Sequence, residues 1–176
     1  MSGHEVAHGQ RLAQPSAAFS GDHGEADPQV REAIAKATDQ TGYLRALVAL
    51  CTSRLLMPIV ASGEDHMDGP RPDRHAEMAA VTVTSATGER ALLAFTGIDS
   101  LQDWQPQARP VPCTLDDLAA TVSEAGASHL LLDAIGPVPF EISPELVAEL
   151  AQGHRLVEVE PGQFGWMFLA DGADQG

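Results

Sequence analysis

The sequence predicts a single α/β domain of the α+β kind, built on a mixed, largely antiparallel β-sheet with flanking helices. Three observations carry that prediction. Helical apolar stripes interleave with short apolar runs along most of the 176 residues. Two pairs of runs, within 79–95 and 155–169, are separated by short Gly-bearing turns, which forces antiparallel hairpins. The segment Ala91 to Trp104, ALLAFTGIDSLQDW, is an apolar strand that breaks at Thr96-Gly97 into a short amphipathic helix. A chain of this length buries roughly 68–70% of its unfolded surface without needing disulfides or a structural metal.

Residues 1–26 are rich in Gly, Ser, Ala, Gln and His without periodicity, so they are expected to be a disordered tail. The domain is expected to span 27–170. Asp27-Pro28 opens its first helix, with Asp as N-cap and Pro at the first helical position. Val30, Ala33, Ile34 and Ala37 share one side, and Glu32 with Lys36 makes an i,i+4 pair. A second helix covers Gly42 to Thr52, with Leu44, Leu47, Val48 and Cys51 as its core stripe. Arg54 to Val60 is a strand, and Pro58, lacking an amide donor, places an edge, a bulge or a strand end there. The polar stretch from Ala61 to Glu77 reads as a mobile loop.

Ala79 to Thr84 and Arg90 to Phe95 form a hairpin across Ala86-Thr87-Gly88-Glu89. Ile98 to Trp104 is a helix, and Pro106 to Pro112 a proline-restricted connector. Thr114 with Asp117 makes a capping-box-like start for the next helix, stapled by Cys113 and Leu118, with Leu115, Leu118, Ala119 and Val122 inward and Gly126 at its end. His129 to Asp133 is a strand, Gly136-Pro137 a turn, and Pro139 to Ile142 a short extended piece. Ser143-Pro144 opens a helix carrying Leu146, Val147 and Leu150, with Gly153 as its C-cap. Arg155 to Val159 and Phe164 to Leu169 close as a hairpin, and 171–176 is a polar tail.

Charge narrows the partners. A formal net charge of −15 disfavours phosphate backbones and anionic membrane surfaces, since such binding relies on Lys and Arg displacing counterions. Nucleic acid and membrane are therefore not expected as partners. Cys51 and Cys113 fit neither a disulfide framework nor a CxxC pattern, and no basic segment followed by an apolar stretch opens the chain, so a cytoplasmic protein is expected. One lysine stands against nine arginines and there is no asparagine, a bias that fits a GC-rich genome.

The order of a helix, LLMPIV, a hairpin returning as LLAFTGIDSLQDW, a capped helix, HLLLDAIGPVPFEI and a helix opening SPELV resembles the SseB N-terminal-domain family, in its actinobacterial form. The resemblance covers about Pro28 to Leu150. It implies a fold, and it carries no agreed catalytic residues onto this chain. The name is shared with a secreted translocon component, whose secretion does not transfer. The sequence departs from the family pattern at Asp133-Ala134, where an Asn-Pro-like pair is expected.

Candidate sites are few. Phe95, Ile98, Leu101 and Trp104 fit a packed stripe with Asp99 or Ser100 capping the helix, which leaves Asp99, Gln102, Asp103 and the Trp104 edge to meet a partner. Gly136-Pro137 with Pro139 and Phe140 reads as a turn or as a rigid peptide-binding lip. Cys113 precedes a helix start, but Asp116 and Asp117 oppose a thiolate there, and both cysteines read as inert. His4, His8 and His23, or His66, Asp68, Asp73 and His75, are metal-ligand types without a zinc spacing, so no metal or cofactor is expected. From Thr114 to Gln152 there are seven carboxylates and no Lys or Arg. Asp116, Asp117 and Glu145 either complement helix dipoles or form a face that steers a basic protein.

The expectation is a non-enzymatic interaction or regulatory module for a partner with a basic surface, using Asp99, Gln102, Asp103, Trp104, Asp116, Asp117 and Glu145. Two alternatives stand beside it. One is an enzyme or small-molecule binder with a pocket at Cys113, His129 and Asp133. The other is an immunity-like protein complementing a basic toxin.

Overall fold

Asp27 opens a helix in the way the sequence predicts, and Asp39 opens the next one, which starts two residues before the expected Gly42. In the computed structural model, which describes residues 19–62 and 77–168, Asp27 accepts from the Gln29 amide to cap α1 (Pro28–Ala35), and Asp39 accepts from the Gly42 amide to cap α2 (Gln40–Cys51). Both satisfy donors that a helix start leaves open. After them come β1 (Leu55–Ser62), β2 (Glu77–Ala80), β3 (Thr82–Thr84), β4 (Arg90–Ala94), α3 (Ile98–Trp104), β5 (Arg109–Cys113), α4 (Leu115–Glu124), β6 (His129–Leu132), β7 (Phe140–Ile142), α5 (Pro144–Ala151), β8 (Arg155–Glu160) and β9 (Gln163–Met167).

The sheet is mixed and largely antiparallel. β1 lies between β2 and β5, and the order β3-β4-β6-β7 holds one parallel pair, β4 with β6. Leu56 and Phe95 exchange amide-to-carbonyl bonds of 2.8 Å, stitching β1 to the end of β4. The predicted strand over 79–84 is divided: β2 pairs with β1 and β3 with β4, so the strand switches partner at Val81, whose carbonyl accepts from Leu93. The β8–β9 hairpin is a separate sheet.

The proline-rich stretch predicted as a connector is instead the strand β5, paired with β1 from Leu55↔Cys113 to Ile59↔Arg109. Alternation explains how prolines are tolerated. Leu56 spends its backbone groups on Phe95, so it faces away from β5, and its partner Pro112 faces outward by the same rule. Two residues on, Pro58 and Pro110 oppose each other in the same sense. No donor is lost from the ladder.

Two hydrophobic clusters sit on the two sides of the sheet. The larger joins α1, α2, α4 and α5 with Leu55, Met57, Leu92, Leu130 and Leu132, and Phe164 and Trp166 of β9 pack against it. The smaller joins Leu56, Leu93 and Phe95 to Leu101 of α3, with Ile98 and Trp104 at its border. Residues 19–26, assigned to the tail by composition, are partly docked. The Ile98 amide donates to the Gly24 carbonyl at 2.7 Å, and Arg54 holds both Asp22 and the Glu25 carbonyl. Hydrogen bonding supplies what apolar content could not. The loop 63–76, most of the N-terminal tail and the C-terminal residues 169–176, with His4, His8, His66, Asp68, Asp73 and His75, lie outside the described residues.

Candidate functional site

Where β4 and β6 run parallel, their carboxyl ends come side by side, and in open α/β sheets such ends are where ligands are received. Here that position holds Thr96, which follows β4, and Asp133, which follows β6. Asp133 is 1% exposed and takes a left-handed backbone with φ of 50°. Asp and Asn are the non-glycine residues that enter this region most readily.

The Asp133 carboxylate accepts from the Thr96 amide at 2.9 Å, from the Thr96 hydroxyl at 2.6 Å and from the Ser100 hydroxyl at 2.8 Å. Arg31 of α1 continues the network, donating through Nε to Thr96 Oγ1 at 3.1 Å and gripping both oxygens of Asp99 at 2.6 Å. The guanidinium draws the Asp99 carboxyl down to about 2 and is itself raised by that bond. Arg54 donates to the Thr96 carbonyl at 3.2 Å from the other side. Among the described residues, no buried side-chain nitrogen or oxygen lacks a partner. Chemically the cluster is a closed lock: the hydroxyls that could have met a ligand are bound to an internal carboxylate.

The predicted enzyme trio does not converge. His129 and Asp133 stand at opposite ends of β6, four residues apart, which is about 13 Å along a strand. Cys113 is buried in β5 with its thiol on the Leu55 carbonyl, and burial, reinforced by Asp117, pushes it up to about 12. Burial likewise raises Cys51. His129 instead meets Ser128 at 2.8 Å and Glu141 at 3.5 Å.

The proposed partner residues are divided as well. On α3, Gln102 and Asp103 are exposed, Asp99 is engaged by Arg31, and Trp104 packs on Phe95 with ring centroids 5.5 Å apart. The predicted cap of this helix is corrected: Gly97 takes the N-cap position without a side-chain bond, because Asp99 is turned to Arg31 and Ser100 to Asp133. A Cβ on Gly97 would lie 2.7 Å from the Ala26 Cβ, so nothing larger fits.

Asp116 and Asp117 open α4 after the Thr114 cap, near Cys113. Glu145 opens α5 at the other end of the layer. The register Leu130↔Ile142 sets the start of α5 beside His129, which follows the end of α4, and His129 acts electrostatically on Glu145. The carboxyl of Glu145 is lowered by its own backbone amide and Ser143 before His129 adds to the effect. The length of α4, about 15 Å for its 10 residues, therefore separates the two acidic ends.

Sequence reading missed Arg31, Arg54, Thr96 and Ser100. Their long-range bonds join residues 29 to 69 positions apart, and no local spacing signals them. Among the described residues no group of three or more His, Cys, Asp or Glu side chains is placed to hold a metal ion, and no helix is long and apolar enough to cross a membrane.

No curated protein and no solved structure matches the chain. The family model of the SseB protein N-terminal domain matches residues 30–149, a span that runs from α1 through α5 and takes in the whole Thr96–Asp133 lock. The chain belongs to the SseB N-terminal-domain family.

Proposed function

We propose that this SseB-family domain is a protein-interaction module whose outer α4–α5 layer receives a partner with a basic surface. The observation that carries the reading is the absence of any Lys or Arg between Arg109 and Arg155, a stretch that contains both helices. The two helices pack side by side, and Asp117, Glu124 and Glu145 are exposed on them. Glu149 is met by His154 at 2.7 Å. Like charges gathered on one layer raise the local concentration of an oppositely charged partner, and this steering weakens as salt shortens the Debye length below about 10 Å.

The test is a pull-down at two ionic strengths, with charge reversal applied separately at the two ends: Asp116→Lys with Asp117→Lys, and Glu124→Lys with Glu145→Lys. Capture at low salt, lost in at least one of these variants, is the expected result. Capture that ignores both reversals, or that persists unchanged at high salt, would sink the proposal.

A further inference from the structure

One side of the sheet is covered by α1, α2, α4 and α5, and the other by the seven-residue α3 alone among the described helices. A largely antiparallel sheet can keep part of one face in solvent, so among the described residues the part beside α3 is accessible to an occupant. Register identifies what lies there. Leu93 belongs to the α3 side, so its strand-alternate Ala91 and the cross-strand partners Val83, His129, Leu131 and Glu141 share that side. Together they line a groove of about 310 Å³. Its floor is apolar, made by Val83, Ala91 and Leu131, none of which is buried.

The rim sets the charge of whatever binds. Glu141 opposes Leu131 and so belongs to this side, and Glu89, just before β4, also lines the groove, its carboxylate accepting from the Thr87 hydroxyl at 3.4 Å. Arg90, although it borders the groove, has the alternate orientation. Its guanidinium donates to Thr82 at 3.0 Å and lies close to Gly126 at the end of α4, on the helix-covered side. His129 is occupied by Ser128 and Glu141. The fixed charges facing the groove are thus negative.

We infer that this groove is a docking site for an amphipathic helix of a partner protein, its apolar stripe on Val83, Ala91 and Leu131 and its flanking Lys or Arg on Glu89 and Glu141. A helix is the element that covers an open sheet face, as α3 does on the adjoining half, and apolar anchors at i, i+3, i+4 and i+7 are how such a helix is read. The groove lies on the opposite side of the sheet from the α4–α5 layer, so it stands whether or not that layer binds anything.

The probe is a synthetic amphipathic helix of Leu and Lys, about 18 residues long, compared with its Leu and Glu counterpart carrying the same apolar stripe. Methyl NMR of the whole protein should show Lys-peptide perturbations centred on Val83, Ala91 and Leu131. Val83→Asp combined with Glu141→Lys should weaken binding at least about tenfold, while Glu25→Lys with Glu160→Lys, at exposed positions outside both the groove and the α4–α5 layer, leaves it unchanged. Perturbations centred on α4 or α5, equal binding of the Glu peptide, or an intact affinity in the groove variant would each overturn the inference. So would a concentration-dependent dimer of the wild type that Val83→Asp abolishes, since a second copy would then be the occupant. If the groove variant unfolds, the methyl map of the wild type decides alone.

Discussion

Asp133 and Thr96, 37 positions apart in the chain, are joined by two bonds, one to the Thr96 amide and one to its hydroxyl, and the carboxylate that accepts both is 1% exposed. Removing it by Asp133→Ala would leave the Thr96 amide and hydroxyl without their acceptor, while the Ser100 hydroxyl keeps the Gly97 carbonyl at 3.0 Å. We expect a loss of about 3 kcal/mol in urea denaturation, since orphaned buried donors cost about 1–3 kcal/mol each. Asp133→Asn keeps one acceptor oxygen and the left-handed backbone, and should cost about half as much. Equal losses for the two variants would mean that the left-handed backbone and a single acceptor oxygen contribute nothing, and that only the full carboxylate sustains the lock.

This pair marks the border of what the sequence discloses. Asp27, Asp39 and Thr114 act on donors two or three residues away, so local chemistry suffices to place Asp27 and Thr114 as caps. The strand-to-helix break at Thr96-Gly97 is legible for the same reason. β5 was hidden because proline density signals a connector, and only the register with β1 reveals that each proline faces away from its partner strand. The acidic residues were legible by type and not by place: that α4 and α5 start at opposite ends of their layer depends on β6 and β7 pairing, which no helical spacing records.

The Arg31–Asp99 pair predicts an acid limb. Asp99 falls from an ordinary 3.8 to about 2 in the folded chain, so its contribution is fully present above the unfolded value and is lost as pH drops through the folded one. The stability difference between wild type and Asp99→Asn should be constant above about pH 5 and vanish towards pH 2. Asp99 is 61% exposed, so screening holds the plateau to about 1 kcal/mol or less. Urea midpoints of both proteins at pH 2, 3, 4 and 6 check the shape. A difference that grows as pH falls would contradict it.

Arg54 ties residues 22–25 to the sheet end, and its side chain is only 13% exposed. Arg54→Ala should release Gly24 from the Ile98 amide and raise hydrogen exchange at Ile98 at least about tenfold, equivalent to about 1.4 kcal/mol of easier local opening. Amides of β6 should change little. An unchanged Ile98 rate would show that the Gly24 contact holds without the arginine.

Cys51 and Cys113 should be silent to thiol reagents while the chain is folded. Burial raises both, and with Cys113 at about 12 only about one thiol in ten thousand is ionised at pH 8. Ellman titration at pH 8 should read no fast-reacting thiol in buffer and two in guanidinium chloride. A thiol that reacts within seconds in the native protein would show that the wall around it opens.

Among the described strands none pairs with the outer edge of β5, and prolines protect that edge. Pro110 and Pro112 occupy the two positions whose backbone faces away from β1, so neither can donate to an approaching strand. Pro110→Thr with Pro112→Val leaves every β1–β5 bond intact, because those bonds run through Arg109, Val111 and Cys113 at the alternate positions. It also restores two outward N–H groups beside their carbonyls. The double variant should therefore keep the fold, judged by circular dichroism, while self-associating in sedimentation velocity at concentrations where the wild type does not. A variant that unfolds would place Pro110 and Pro112 among the stabilising elements of the strand, and a variant that stays as dispersed as the wild type would show that something other than proline guards this edge.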